Sequence, residues 1–316
     1  MNIYSGELIA LSVAVSWTIT ALFAETASKR IGALCANIIR MGLALVLLSI
    51  LLWFTTGYPY PTFTDKETWI WLAASGLTGY AFGDTCLFNS YLIIGSRFGQ
   101  LMMTLSSVFA AVAGYFILGE TLSWKVLVAM AVTLTGIAIS VLGRKEGDKS
   151  ATHSGIKLKL PLKGILLGIG AALGQGVGLV LSKQGLLHYG ESVGDNQRVL
   201  FMMPFAGTFI RAIFGLISFL LIAMIQRKLG NLKLAFNDKK GLRDITLATV
   251  FGPFIGVSLS LMAVEYTSTG IAQTIMALTP VLILLPARIF YHQKITGREV
   301  LGAIISVLGV SMFFIL

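Results

Sequence analysis

The sequence predicts an all-α integral membrane protein whose ten transmembrane helices form a 5+5 inverted structural repeat. Three observations lead there: too little charge for a water-soluble surface, ten apolar stretches of spanning length, and polar landmarks that recur at a constant interval. Of 316 residues, 56% are apolar and 12% charged, and the mean hydropathy is +0.84. A soluble domain carries about 25% charged residues, so most of the outer surface is expected to face lipid. The net charge of +10 does not point to nucleic acid, because the basic residues sit between apolar stretches, where the anionic inner face of a membrane attracts them. Cys35 and Cys86 lie in apolar runs and read as small buried hydrophobes rather than as a disulfide or metal site. The segment from Met1 to Glu7 lacks the basic start of a cleavable signal peptide.

A spanning helix needs about 20 mainly apolar residues. Such stretches run near 4–24, 33–55, 68–92, 98–118, 124–143, 162–187, 205–226, 244–265, 269–291 and 298–316. Two long polar connections interrupt them. The first, 144–161, holds Arg144, Lys145, Lys149, Lys157 and Lys159; the second, 227–243, holds Arg227, Lys228, Lys233, Lys239, Lys240 and Arg243. Residues 190–204 read as an interfacial loop or short surface helix, because a polar run is followed by only five apolar residues before Pro204. The chain thus divides into a first five-helix unit (1–143), a basic cytoplasmic linker (144–161) and a second five-helix unit (162–316).

The basic residues set the expected orientation. Connections after the odd-numbered stretches, with their flanks, hold 18 of the 24 Lys and Arg. The positive-inside rule places them in the cytoplasm and both termini outside. Tyr58, Tyr60, Trp69 and Trp71 around the 55–68 connection suit an aromatic belt at the outer interface.

The repeat emerges when residues 79–137 are moved forward by 173 positions onto 252–310 without a gap. Gly79 falls on Gly252, Gly83 on Gly256, Gln100 on Gln273, Met103 on Met276, Leu105 on Leu278 and Gly136 on Gly309. The turn from Gly119 to Lys125 falls on His292 to Arg298, and Asn37-Ile38-Ile39-Arg40 matches Thr208-Phe209-Ile210-Arg211. A unit with an odd number of crossings ends on the opposite side, so its second copy enters the bilayer upside down. Inverted repeats of this kind hold their solute site near the midplane, between the copies.

At these residues the chain resembles the EamA-type transporters of the drug/metabolite transporter (DMT) superfamily, over nearly its whole length. The resemblance is carried by Gly83-Asp84 with Leu87-Phe88, by Phe116 to Ser123, and by Gly252-Pro253-Phe254 through Ala272-Gln273-Thr274 to Leu278-Thr279-Pro280-Val281. It implies a ten-helix inverted carrier of metabolites or drugs in the cell (inner, cytoplasmic) membrane. Two positions depart from the family pattern. Ser107 stands where a proline is usual, and Gln293 stands where the second half's turn glutamate is expected.

Charges inside spans cost about 2.5–3.5 kcal/mol each on translocon scales, so each needs a reason. The expected solute-binding set is Trp17, Thr20, Asn37, Arg40, Gln175, Arg211 and Gln273; the expected coupling or ion-pair set is Asp84, Lys183, Glu25 and Glu265. Two readings stand for Arg40 and Arg211: structural ion pairing or snorkelling, and bidentate capture of an anionic group such as a carboxylate. Asp84 reads either as a proton- or cation-coupling carboxylate or as a partner for Lys183 or Arg40. Trp17, Thr18 and Thr20 face Gln175 by repeat position, and an aromatic with hydroxyls and amides shapes a mixed polar cavity or simply packs. Asn89, Gln100 and Gln273 invite the same two readings. Glycines 168, 170, 174, 176 and 178 suit close helix approach, and Pro253, Pro280 and Pro286 interrupt regular helical bonding.

Other functions have less equipment. Tyr80-Ala81-Phe82-Gly83-Asp84 resembles the Gly-x-Gly-Asp of membrane aspartyl proteases only with Ala81 in place of the first glycine. His153, His188 and His292 are scattered, and no phosphate-binding Gly-x-x-x-x-Gly-Lys-Ser/Thr loop occurs. The expectation is therefore a non-enzyme without cofactor or metal, a monomer or homodimer whose partners are a small-molecule solute and membrane lipids, not nucleic acid. A secondary carrier moving a small metabolite such as an amino acid, or another organic solute or drug, by alternating access is the reading, with proton coupling open. An intramembrane enzyme, a channel-like pore and a receptor or scaffold are the alternatives.

Overall fold

The computed structural model describes residues 5–142, 161–283, 286 and 297–315. Most of the basic linker, including His153, and the turn residues from His292 to Thr296, with Gln293 among them, lie outside the described residues. Within them every regular element is helical. The first half contains α1 (Ser5–Ile31), α2 (Ala33–Thr56), α3 (Lys66–Gly76), a π-helical segment Leu77–Asp84, α4 (Thr85–Met103), α5 (Ser106–Leu118) and α6 (Trp124–Leu142). The second contains α7 (Leu162–Val193), α8 (Gln197–Ile225), α9 (Gly230–Asn237), α10 (Lys239–Thr249), a second π-helical segment Val250–Val257, α11 (Ser258–Tyr266), α12 (Thr269–Met276), α13 (Thr279–Leu282) and α14 (Gly297–Met312).

Among the described residues, six helices are long and apolar enough to cross a membrane: 5–31, 33–56, 98–118, 162–193, 197–225 and 239–266. Two more, 124–140 and 269–282, are apolar but shorter. Large apolar side chains cover the outside, with Phe54 83%, Ile225 81%, Phe116 79% and Trp124 72% exposed. The interior is instead rich in alanine, glycine and serine. That inversion is what a lipid solvent selects, since helices bind one another there by close packing of small residues.

Local boundaries follow from capping. Gly57, at φ 84, ends α2 with its N–H on Trp53 O, and Asp65 starts α3 by accepting from Thr68 N at 2.8 Å. Gly95 adopts φ 76 and ψ 163 inside α4, a conformation open to glycine and nearly closed to other residues. It divides the expected 68–92 stretch from the one that follows. The connection 227–243 is not wholly a loop, because it folds into the short α9, which buries Ala235 and exposes Leu234 and Phe236. At its end Arg30 donates to both carboxylate oxygens of Asp238. That bond, with the Gly241 and Lys240 backbone N–H groups, holds the Asp238 carboxyl below the usual range.

One expectation needs correction. Residues 190–204 do not form a separate loop or surface helix: α7 continues to Val193, and α8 begins at Gln197 and runs through Pro204. Asn196 supplies the cap by accepting from Val199 N at 3.3 Å. Val199 and Met203, one turn apart, are both buried. Their burial and the cap outweigh the single backbone bond that Pro204 removes.

The 173-residue shift read from the sequence reproduces the element boundaries. It carries α3 onto α10, Leu77–Asp84 onto Val250–Val257, Gly95 onto Ser268, and the start of α6 onto the start of α14. Packing repeats in exchanged form. α1 lies against α10, the second π segment and α11, whereas α7 lies against α3, the first π segment and α4. α2 packs on α8 and α6 on α14, each meeting its own counterpart as an approximate two-fold axis requires, and α5 packs on α12, the counterpart of the last turns of α4.

The α6–α14 contact is the tightest. A methyl added at Gly302 would collide with Ser140 N and Gly136 O, and one at Gly136 with Ser306 N. Gly302→Leu is therefore expected to cost about 1–3 kcal/mol, as overpacking does, and to lower the melting temperature in detergent. Gly42→Leu, with open space around it, is expected to leave that temperature unchanged. Equal melting of the two variants would contradict this packing.

Candidate functional site

The two π segments create the centre of the molecule. A π turn displaces backbone carbonyls from their i→i−4 partners, and in an apolar bundle each carbonyl then needs another donor. Gln175 of α7 donates to Gly79 O at 3.2 Å. Ser16 of α1 donates to Phe251 O at 2.6 Å. Glycine makes these approaches feasible: a methyl on Gly174 would lie 2.7 Å from both Gly83 Cα and Thr78 O. Pro253, which has no N–H, sits inside the second segment.

A cavity with about 660 Å³ of empty space lies where these elements meet. Both halves line it. Trp17, Thr20, Arg40 and Asp84 come from the first half, and Gln175, Gly252 and Gln273 from the second. Its walls are otherwise aromatic and apolar, with a few convergent polar groups, the pattern of a small-molecule site.

The only ion pair on that wall among the described residues joins Arg40 to Asp84. Both residues are buried, at 4% and 3% exposure. Arg40 Nη2 donates to Asp84 Oδ2, Gln175 Nε2 donates to Asp84 Oδ1 at 2.9 Å, and the guanidinium lies 4.7 Å from the Phe88 ring centre. The carboxylate is thus bonded on both oxygens. The Arg40 Nε has no hydrogen-bond partner among the described residues. Gln273 donates to Ser106 Oγ at 2.7 Å, while its own Oε1 has no partner among the described residues.

Several expected residues lie elsewhere. Asn37 is buried but does not line the cavity, and neither does Arg211. Arg211 stands behind the wall, 4.9 Å from the ring centre of Tyr80, which does line it. Thr18 turns away to Ala14 O. Lys183 pairs with Glu120 at 2.7 Å and Glu25 with Lys29 at 2.6 Å, both remote from Asp84. Glu265 closes α11 with Oε1 buried and unpartnered among the described residues. Asn89 bonds only Thr85 O in its own helix.

The sequence reading left out Tyr80, Phe88 and Tyr91, which with Trp17 give the cavity its aromatic face. Their signal was proximity to Asp84, since Phe88 is one helical turn beyond it and Tyr80 one turn before. Gln100, at the repeat position of Gln273, also lines the cavity and donates to Tyr91 Oη. Glu120 was visible as the one carboxylate in its turn.

Known proteins add the family. The model of the EamA-like transporter family matches residues 4–142 and, a second time, residues 162–315. The chain belongs to the EamA-like transporter family. It is therefore a multi-pass membrane protein of a family of small-solute transporters, and each half of the bundle is one EamA unit. One solved crystal structure of a protein is 15% identical, covers 98% of this chain and 96% of its own, and superposes with a TM-score of 0.65; at that identity the likeness concerns the fold. No curated protein matches.

In this EamA protein Arg40 and Asp84 hold one another in place. Removing one partner of a buried pair costs about 3–5 kcal/mol, because the other charge stays buried alone. Arg40→Gln is expected to reduce the yield and melting temperature of the folded protein, and Arg40→Gln with Asp84→Asn to regain most of both. A double variant no better than the single would show that the two do not act as a pair.

Proposed function

We propose that this protein is a secondary carrier that moves a small organic solute, such as an amino acid, another metabolite or a drug, across the cytoplasmic membrane by alternating access. The observation that carries the reading is the central cavity, lined by residues of both EamA units and of both π segments and holding a buried ion pair. Ten spans in two oppositely threaded sets of five put that cavity near the bilayer midplane, where inverted-repeat carriers bind their cargo. The excess of Lys and Arg after the odd-numbered stretches puts those connections in the cytoplasm and both termini outside.

The lining defines the roles. Trp17 and its aromatic neighbours give an apolar platform, Thr20, Gln175 and Gln273 give hydrogen bonds, and Arg40 is the cation that receives an anionic group of the cargo. Asp84, released from Arg40 when cargo binds, is then free to take a proton or cation. Arg211 acts through Tyr80 rather than by direct contact, and Asn37 supports the Arg40 helix from behind. Glycine and proline positions in the π segments absorb the rocking of the two units.

Proteoliposomes offered a panel of labelled amino acids and other metabolites, with and without a proton gradient, test the reading. Saturable uptake with counterflow is expected; flux that neither saturates nor shows counterflow would indicate a pore. Trp17→Ala is expected to raise KM by about tenfold, the loss of roughly 1.4 kcal/mol of aromatic contact. Asp84→Asn is expected to exchange cargo but not to concentrate it, and unchanged uphill transport with unchanged pH dependence would remove the coupling role. Mapping 144–161 and 227–243 to different membrane faces would overturn the inverted arrangement.

A further inference from the structure

The two ends of the bundle use different chemistry for the same joint. A shift of 158 residues relates α1 to α7, since Gly6 packs on Thr267 as Gly164 does on Ile94, and Thr18 reaches Thr279 O as Gly176 abuts Ser106 O. The residues contacted are themselves 173 positions apart, so the correspondence is structural. It places Glu25 and Lys183 at equivalent positions with opposite charges.

Each of them sits beside the start of an equivalent helix segment. At one end Glu25 Oε2 accepts directly from Ser96 N at 3.0 Å, just after Gly95. At the other end the matching backbone N–H is that of Thr269. It donates to Glu120 Oε2 at 2.9 Å, and the Thr269 hydroxyl donates to the same oxygen at 2.6 Å. Lys183 Nζ then donates to Glu120 Oε1 at 2.7 Å and to Thr267 O at 3.0 Å, and Thr267 Oγ1 donates to Glu7 Oε1 at 2.7 Å. Every bond from Glu120 to Thr269, and from Lys183 to Glu120, crosses between the two EamA units.

We propose that Glu120 and Lys183 are positioning residues for transport, a charged clasp that closes the bundle at the α5–α6 turn, and that Glu25 performs the capping half of that task at the opposite end. The inference rests on the carrier reading above. Where the turn supplies the capping carboxylate, α7 supplies a cation to neutralise it. Where the position 173 residues after Glu120 is Gln293, the carboxylate comes from α1 instead. One carboxylate per joint is the shared requirement; Glu25 has its cation, Lys29, on its own helix, whereas Lys183 comes from the other unit and binds the two units through an ion pair.

The exchange of roles gives a test that simple structural importance does not. Lys183→Glu with Glu120→Gln installs at the clasp the combination found at the other end, so the new carboxylate is in place to cap Thr269. Ala277 lines the cavity; Ala277→Cys in a Cys35→Ala, Cys86→Ala parent, treated with a membrane-impermeant maleimide from the α5–α6 face, reads closure without any substrate. Each single variant is expected to be labelled at least about tenfold faster than the parent, because a half-buried charge loses its partner. The double variant is expected to return to the parent rate. Where a single variant does not accumulate as folded protein, recovery of monodisperse protein by the double variant becomes the reading. A double variant that is labelled or misfolds like the singles, or singles labelled like the parent, overturns the proposal. Failure of the carrier reading is separate, since it would appear as absent counterflow in the unaltered protein while the labelling pattern stood.

Discussion

A backbone carbonyl freed inside an apolar bundle must find a donor, and this constraint organises the protein. Two helices, one in each unit, widen into π turns and release carbonyls at their centres. In each segment one of these carbonyls takes its donor from the other unit. Gln175 crosses from the second to reach Gly79 O, and Ser16 crosses from the first to reach Phe251 O. Each crossing needs close approach, so the facing surfaces are glycine and small residues, and the donors come from α1 and α7. The exchange of partners between units follows from this need. An uncompensated carbonyl in such surroundings costs several kcal/mol, far more than any one apolar contact contributes.

The cavity follows from the same cause. Widened helices cannot pack side chains as densely as regular ones, and the space they leave is bounded by whatever the neighbouring turns present. Here those are Tyr80 and Asp84 from the first π segment, Gly252 and Val257 from the second, and Trp17 and Thr20 from α1. A lone charge on such a wall would be prohibitive. Arg40 and Asp84 solve that together, with Gln175 bonded to both the carboxylate and the freed carbonyl. One amide therefore ties the backbone defect to the ion pair.

Much of this was legible in the sequence, for a physical reason. Glycine, proline and polar residues inside apolar stretches mark places where the backbone deviates, and they are the residues that cannot drift without cost. Gly79, Gly83, Gly252 and Gly256 consequently gave a shift that carries one π segment onto the other, although the π turns themselves were not read from the sequence. The cavity members Trp17, Thr20, Arg40, Asp84, Gln175 and Gln273 stood out because polar or amphipathic groups are rare in spans. Tyr80, Phe88 and Tyr91 did not, since an aromatic facing a cavity and one facing lipid look alike in a chain of this composition. The start of α8 was obscured by Pro204, a residue that breaks most helices but here removes one bond near a well-capped end. Arg211 was placed with Arg40 by repeat position, yet the wall residue in front of it is Tyr80, whereas Arg40 has Phe88 beside it and a carboxylate within reach.

That last contrast shows how a duplicated fold acquires direction. Two identical units would give identical barriers at both ends and a symmetric cavity, and nothing in the protein would then distinguish entry from exit. The backbone has kept the symmetry, since its elements, turns and glycine contacts recur at constant intervals. The charges have not. Arg40 has a buried acid and Arg211 has none among the described residues at salt-bridge distance; Lys183 stands where its equivalent is Glu25. Electrostatic energies inside an apolar bundle are large enough that a few such substitutions separate two conformations otherwise related by symmetry. In the carrier proposed here, the repeated backbone supplies the capacity to open at either end, and the unrepeated charges set how easily each end does so.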